Sequence, residues 1–145
     1  MIPLTMSDAS PNGATLWDNQ ARLGLSKGLY VWLAMLVATC LSSVFFVRDH
    51  VPARWVLGGF ILSHVIVFAV PPILKLTLRI GHVGLLHLLC WSPGGLLVIV
   101  DITASDIIDW CYTAWGSMLM IVVLISFYFD ARDGFGYLKW RKQQV

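Results

Sequence analysis

Two histidines in apolar stretches are the residues of this sequence whose side chains are best suited to chemistry. His64 lies in "FILSHVIVF" and His87 lies in "GHVGLLHLLCWSPGG". An imidazole can ligate a metal, carry a proton, or simply complete a hydrogen-bond pair. An ionisable residue inside a membrane helix is by default a candidate for function. We therefore ask first whether these two histidines can act together.

The spacing favours a meeting of His64 with His87. His82 and His87 are separated by about 140° around a helix, so they do not share a face. His87 shares its face with Cys90 and Trp91 instead. If the chain folds back near residue 77, His64 and His87 reach depths that differ by only about 4–5 Å. A b-type haem held by two histidines from different helices uses such an arrangement.

A structural role for these histidines is the simpler interpretation. A neutral imidazole needs one donor and one acceptor, which Ser63, Ser92 or a carbonyl freed by Pro93 could supply. Only Lys75 and Arg79 lie near enough to pair with haem propionates. We therefore expect no cofactor, and we keep haem b on His64 and His87 as the alternative. The three cysteines form no CxxC pair, so we expect them to act as small apolar side chains.

The elements that must position these residues are membrane helices. Hydrophobic residues make up 58% of the 145 residues and charged residues 12%, whereas soluble domains are about 25% charged. A membrane-spanning helix needs about 20 apolar residues. Four segments without any Asp, Glu, Lys or Arg meet this requirement, and they are residues 28–47, 55–74, 80–100 and 110–129.

The fold predicted from these segments is an all-α integral membrane four-helix bundle with antiparallel up-down topology, because the connections are short. Residues 28–130 form the helical domain, residues 1–27 an N-terminal segment, and residues 131–145 a basic, aromatic tail. Pro71 and Pro72 should disrupt the end of the second span, and Pro93 with Gly94 and Gly95 should kink the third.

The distribution of positive charge predicts the orientation. Eight of the ten Lys and Arg residues flank the side that holds both termini, and only Arg48 and Arg54 lie on the other side. Cytoplasmic loops carry the excess of Lys and Arg. Both termini should therefore be cytoplasmic, in a bacterial inner membrane. The net charge of +2 is too small to indicate a nucleic-acid partner.

The basic residues near the predicted cytoplasmic surface are candidates for contact with anionic lipid headgroups or with a partner protein. Each basic group near an anionic membrane adds about 1 kcal/mol of attraction. The candidates are Lys75, Arg79, His82, Lys139, Trp140, Arg141 and Lys142.

No catalytic motif is present, so we expect no enzymatic activity. The first hypothesis is a protein that acts by binding, as an accessory or assembly subunit of a larger membrane complex. Its partners would be the bilayer and other integral membrane subunits. The haem-binding electron carrier is the second hypothesis. The third is a small transporter or channel kinked at Pro93, although the four predicted spans contain no carboxylate to couple transport.

The pattern His87-x-x-x-Trp91-Ser-Pro93, together with "ISFYFDARDGFGYLKW", resembles small four-span membrane proteins of proteobacteria that have no assigned function. This resemblance covers the last two spans and the tail. It implies a fold and no activity.

Overall fold

The computed structural model describes residues 27–104 and 109–143, and these residues are almost entirely helical. Residues 1–26 of the predicted N-terminal segment lie outside the described residues. The helices are α1 (Lys27–Leu41), α2 (Val51–Phe68), α3 (Val70–Leu74), α4 (Ile80–Ala104) and α5 (Trp110–Lys142), and a 3₁₀ turn, Ser42–Phe45, follows α1. The all-α class predicted from the sequence is confirmed.

Three stretches are long and apolar enough to cross a membrane: Val51–Leu74, Ile80–Ala104 and Trp110–Lys142. The stretch Tyr30–Phe45 is apolar but shorter. It ends in a 3₁₀ turn because Ser42 and Ser43 donate hydroxyl hydrogen bonds to the carbonyls of Thr39 and Cys40. Such side-chain bonds compete with the regular helical pattern. The first predicted span is therefore the least regular of the four.

The prolines of α3 accompany a break between helices, whereas the proline of α4 does not. Helix α2 ends at Phe68, and Ala69 separates it from the short helix α3, which contains Pro71 and Pro72. Helix α3 ends at Lys75, whose φ of 52° is left-handed. The predicted disruption of the end of the second span is therefore confirmed. Helix α4 is one continuous helix that contains Pro93. Gly94, the next residue, lies against the backbone of Val56, so this turn of α4 packs closely on α2. The kink predicted at Pro93 stays a prediction.

Helices in contact run antiparallel, since contacting residues occur in opposite order along the two helices. The contacting pairs are Val56 with Gly94 and His64 with His87 for α2 and α4, Ile102 with Gly116 and Gly84 with Asp130 for α4 and α5, and Trp32 with Phe129 and Phe46 with Tyr112 for α1 and α5. Helix α4 is therefore central, with α2 on one side and α5 on the other. Helix α1 packs mainly on α5.

The last helix does not end at residue 129, where the predicted span ends. Helix α5 continues to Lys142, and its final turns pack on the start of α4. Gly81 of α4 lies against the Tyr137 side chain, and Gly134 of α5 lies against Leu85. Much of the predicted tail is therefore a helical extension of the bundle.

The outward faces are apolar, as expected for helices surrounded by lipid. Leu89 is 76% exposed, Leu96 64% and Ile121 62%. Inside, Ser63 and Val98 are completely buried. An exposed apolar surface of this extent is unusual for a soluble monomer, and it is consistent with an integral membrane protein.

Candidate functional site

The structure brings together the two histidines that the sequence analysis paired. The ring centroids of His64 on α2 and His87 on α4 are 6.3 Å apart, and the ring planes differ by 26°. His82 lies one and a half turns before His87 and contacts Tyr137 instead, with ring centroids 4.4 Å apart. The helical geometry that separated His82 from His87 therefore holds.

Each of the two histidines uses its Nδ1 atom. Nδ1 of His64 lies 2.8 Å from the carbonyl oxygen of Phe60, one turn earlier. A carbonyl only accepts, so Nδ1 of His64 is the protonated nitrogen. Nδ1 of His87 lies 3.3 Å from Oδ1 of Asp130 on α5. The neutral tautomer with a proton on Nδ1 matches both contacts.

Trp91 and Ser63 connect the two histidines. The Trp91 indole stacks on the His87 ring, with centroids 4.4 Å apart and an interplanar angle of 18°. Its Nε1–H donates to Oγ of Ser63 at 2.9 Å, and Ser63 Oγ in turn lies 3.3 Å from Nδ1 of His64. Trp91 and Ser63 are both buried. Tryptophan and serine thus hold the imidazoles between α2 and α4.

The sequence analysis missed Asp130. Its Oδ2 accepts a hydrogen bond from Ser126 at 3.1 Å, and its other oxygen faces His87. The Asp130 side chain is only 16% exposed, and the stretch that contains it is one of the three candidate spans. Asp130 lies one residue beyond the predicted last span, 110–129, so the sequence pattern did not predict its contact with His87. The spacing of Ser126 and Asp130, four residues on a helix, was the signal available.

We call His64, His87, Asp130 and the residues that join them, Ser63, Trp91 and Ser126, the histidine cluster. It is a connected set of polar groups at the junction of α2, α4 and α5. Among the residues that the structure describes, no group of three or more His, Cys, Asp or Glu side chains could hold a metal ion.

A lateral groove of about 500 Å³ runs along the outer side of the contact between α2 and α4. Its walls and floor are Trp55, Gly58, Gly59 and Leu62 from α2, and Leu89, Cys90 and Pro93 from α4. Arg54 lies at one end. We call this feature the α2–α4 groove. The sequence analysis did not identify it, because a groove depends on which faces two helices leave uncovered.

Two adjacent glycines in the groove have different surroundings. A Cβ on Gly59 would enter the backbone carbonyl of Cys90, so this glycine allows α2 and α4 to touch. A Cβ on Gly58 would meet nothing within 4 Å. A Cβ would also overlap a neighbouring atom at Gly81, Gly84, Gly94 and Gly116. Within residues 27–104 and 109–143, packing therefore does not require a small residue at position 58.

The predicted lipid or partner contacts gather at the end of the bundle where α4 begins and α5 finishes. The Arg79 guanidinium lies over the Trp140 ring, 4.4 Å from its centroid. His82 is half-buried beside them, whereas Lys75, Lys139, Arg141 and Lys142 are exposed. The structure therefore places these residues on one surface.

Comparison with protein-family models, with curated proteins and with solved structures finds no match for this chain. Its function is therefore inferred from its own geometry.

Proposed function

We propose that this chain is a four-span protein of the bacterial inner membrane, with both termini cytoplasmic, that acts by binding as an accessory or assembly subunit of a larger membrane complex. The excess of Lys and Arg on the side of the termini supports the orientation. Tyr30–Phe45 is the short first span in this proposal, and local thinning of the bilayer accommodates short spans at modest cost.

The α2–α4 groove carries the proposal, and its occupant is a transmembrane helix of another protein. Membrane helices associate through small residues that let two backbones approach closely. Gly58 offers such a position to the outside, since no atom of the described residues lies within 4 Å of a Cβ placed there. Glycine within a helix costs about 0.5–1 kcal/mol relative to alanine. A flexible acyl chain would pack equally well on alanine, so a close helix backbone is the better explanation for glycine.

The charge at the end of the groove also fits a protein partner. The Arg54 guanidinium donates to the carbonyls of Val47, at 2.6 Å, and Arg48, at 3.0 Å. Among the described residues, no carboxylate lies within ion-pair distance of it. Its remaining N–H groups are suited to the carbonyls at the C-terminal end of a partner helix, or to an acidic side chain there.

Site-specific photo-crosslinking in native membranes tests this proposal. A photoreactive residue is placed at Leu89, which lines the groove, or at Leu124, which is 59% exposed on α5 and is not among the groove residues. We expect a discrete adduct from position 89 and none of the same mass from position 124. Mass spectrometry should map the adduct to an apolar helix of one protein, which should also co-purify without crosslinking.

The matched variants are Gly58→Leu, which fills the groove, and Ala114→Leu, which enlarges an exposed residue of α5. Gly58→Leu should abolish the adduct and the co-purification, and Ala114→Leu should preserve both. An adduct that survives Gly58→Leu, or one that contains only lipid, would rule out a helix in the groove.

Haem b is the second candidate, favoured by the approach of His64 to His87 and by the acceptors on both Nδ1 atoms. Histidines that ligate metals usually donate their other N–H to a carboxylate or a carbonyl. The close contact of Gly59 with the carbonyl of Cys90, little more than one turn away, counts against room for a porphyrin between the helices. An absorption spectrum of the purified protein decides: a Soret band that is lost in His87→Ala supports haem, and a featureless spectrum excludes it.

Transport is less well supported than binding. Asp130 supplies the carboxylate that the sequence analysis did not find, but α4 continues through Pro93 without the break that transporter sites use. Solute flux in proteoliposomes that disappears in Asp130→Asn would favour transport over the accessory role.

A further inference from the structure

His50 joins three elements at the end of the bundle opposite to the termini. It lies between the 3₁₀ turn and α2. Its Nδ1 is 3.4 Å from Oδ2 of Asp101, near the end of α4. Its Nε2 is 3.4 Å from Oδ2 of Asp109, the residue that caps the N-terminus of α5. Both nitrogens of one imidazole thus face carboxylates.

The His50 ring is held in place by aromatic neighbours. It stacks face to face on the Tyr112 ring, with centroids 3.6 Å apart and an interplanar angle of 3°. Phe46 contacts both of these rings edge-on. The His50 side chain is only 21% exposed. The imidazole therefore cannot turn one nitrogen away from its carboxylate without losing these contacts.

The protonation states of His50 differ in how well they suit this site. A neutral imidazole has one N–H donor and one lone pair. Between two ionised carboxylates, its lone pair would face a carboxylate oxygen, and these two repel. An imidazolium donates from both nitrogens. Only the protonated form satisfies both contacts at once.

The nearby cationic side chains, Arg48 and Arg54, are not paired with the two carboxylates in place of a protonated His50. Arg48 and Asp49 on the same segment are exposed, and Arg54 of α2 is bonded to carbonyls of that segment. Asp106 lies outside the described residues. The backbone N–H of Tyr112, and secondarily His50, lower the pKa of the Asp109 carboxyl. A carboxyl with a lowered pKa stays ionised well into the acidic range, so Asp109 remains a partner for the imidazolium.

We propose that His50 is a proton-sensing site, at which protonation of the imidazole closes a clasp between the start of α2, the end of α4 and the start of α5. The clasp holds where His50 is an imidazolium that donates to both carboxylates, and it loosens where His50 is a neutral imidazole with a single donor. The stabilisation that the Asp109 carboxylate gives as helix cap is lost only when the pH falls through the lowered pKa of that carboxyl. The sensor is independent of the α2–α4 groove and of any partner.

The experiment compares thermal unfolding of the full chain in mild detergent at about pH 5 and about pH 8, the limits of the usual histidine range. The wild type should melt at a higher temperature at the lower pH. This difference should shrink in His50→Gln and should not shrink in His82→Gln, which removes a histidine at the other end of the bundle. An undiminished difference in His50→Gln would overturn the proposal.

Two further measurements keep the test decisive if His50→Gln folds poorly. Asp101→Asn and Asp109→Asn each give a neutral imidazole an acceptable partner, so each should reduce the pH dependence. Spin labels at Arg48→Cys and Thr103→Cys, with the three native cysteines changed to serine, should give a narrow distance distribution at about pH 5 that broadens at about pH 8. An unchanged distribution, or Asn variants that behave as the wild type, would exclude the clasp.

Discussion

At the scale of single residues, the histidine cluster places polar side chains inside an otherwise apolar bundle. A buried donor or acceptor that loses its partner costs more than a hydrogen bond contributes when it is made. Each polar group in the cluster therefore depends on the next: Asp130 on Ser126, His87 on Asp130, and Trp91 on Ser63. Such a network orients the imidazoles whether or not they have a further role.

Asp130→Leu tests this dependence, because it leaves Nδ1 of His87 without its acceptor. We expect a loss of about 1–3 kcal/mol in the free energy of unfolding, measured by denaturation in detergent. Asp133→Leu is the control, since the Asp133 side chain pairs with its neighbour Arg132 in a partly exposed salt bridge. That change should cost less than about 1 kcal/mol. Equal losses in the two variants would show that the contact of Asp130 with His87 does not contribute measurably to the free energy of unfolding.

At the scale of helices, backbone contact at glycines brings α2 and α5 onto α4. Gly59 touches the Cys90 carbonyl on one side of α4, and Gly84 touches the backbone of Asp130 on the other. These contacts set the rotation and depth of each helix, and hence bring His64, His87 and Asp130 together. In a membrane such close packing replaces the hydrophobic effect as the source of association.

Gly59→Ala and Gly58→Ala form a matched pair of adjacent substitutions. The new methyl group of Gly59→Ala would collide with the Cys90 carbonyl, so we expect about 1–3 kcal/mol of destabilisation. Gly58→Ala adds a methyl group in open space and gains up to about 1 kcal/mol of helix propensity. Thermal unfolding of the purified chain should therefore show opposite shifts. A similar loss in both variants would contradict the close packing at Gly59.

At the scale of the whole molecule, the two ends of the bundle differ in charge and in structure. One end carries the exposed lysines and arginines around Arg79 and Trp140. The other end carries His50 between Asp101 and Asp109. With the proposed orientation, the basic end would meet anionic lipid headgroups and His50 would face the outer compartment.

Thiol labelling tests that orientation. Asp49→Cys and Lys142→Cys each place a cysteine at an exposed position, at opposite ends of the bundle. Both variants carry serine in place of the three native cysteines, because Cys111 is exposed. In intact spheroplasts, a membrane-impermeant maleimide should label Asp49→Cys at once, and Lys142→Cys only after permeabilisation. The reverse pattern would mean that the positive-inside rule misplaces this protein.

The sequence by itself determined the properties that depend on local composition. Apolar runs and charged gaps predicted an all-helical chain, because each membrane helix satisfies its own backbone hydrogen bonds. Similar distances from a turn predicted that His64 and His87 would approach each other. The interruption near Pro71 and Pro72 followed from the missing N–H of proline. These features need no knowledge of which faces of the helices meet.

Only the tertiary structure decided the features that depend on helix rotation and on contacts between distant residues. Asp130 enters the cluster because α5 continues beyond the apolar run and turns this carboxylate toward His87. The open face of Gly58 and the double contact of His50 likewise arise from contacts between segments far apart in sequence. The physical reason is that hydrophobicity positions a helix along the membrane normal, whereas close packing between specific surfaces sets its rotation and its neighbours.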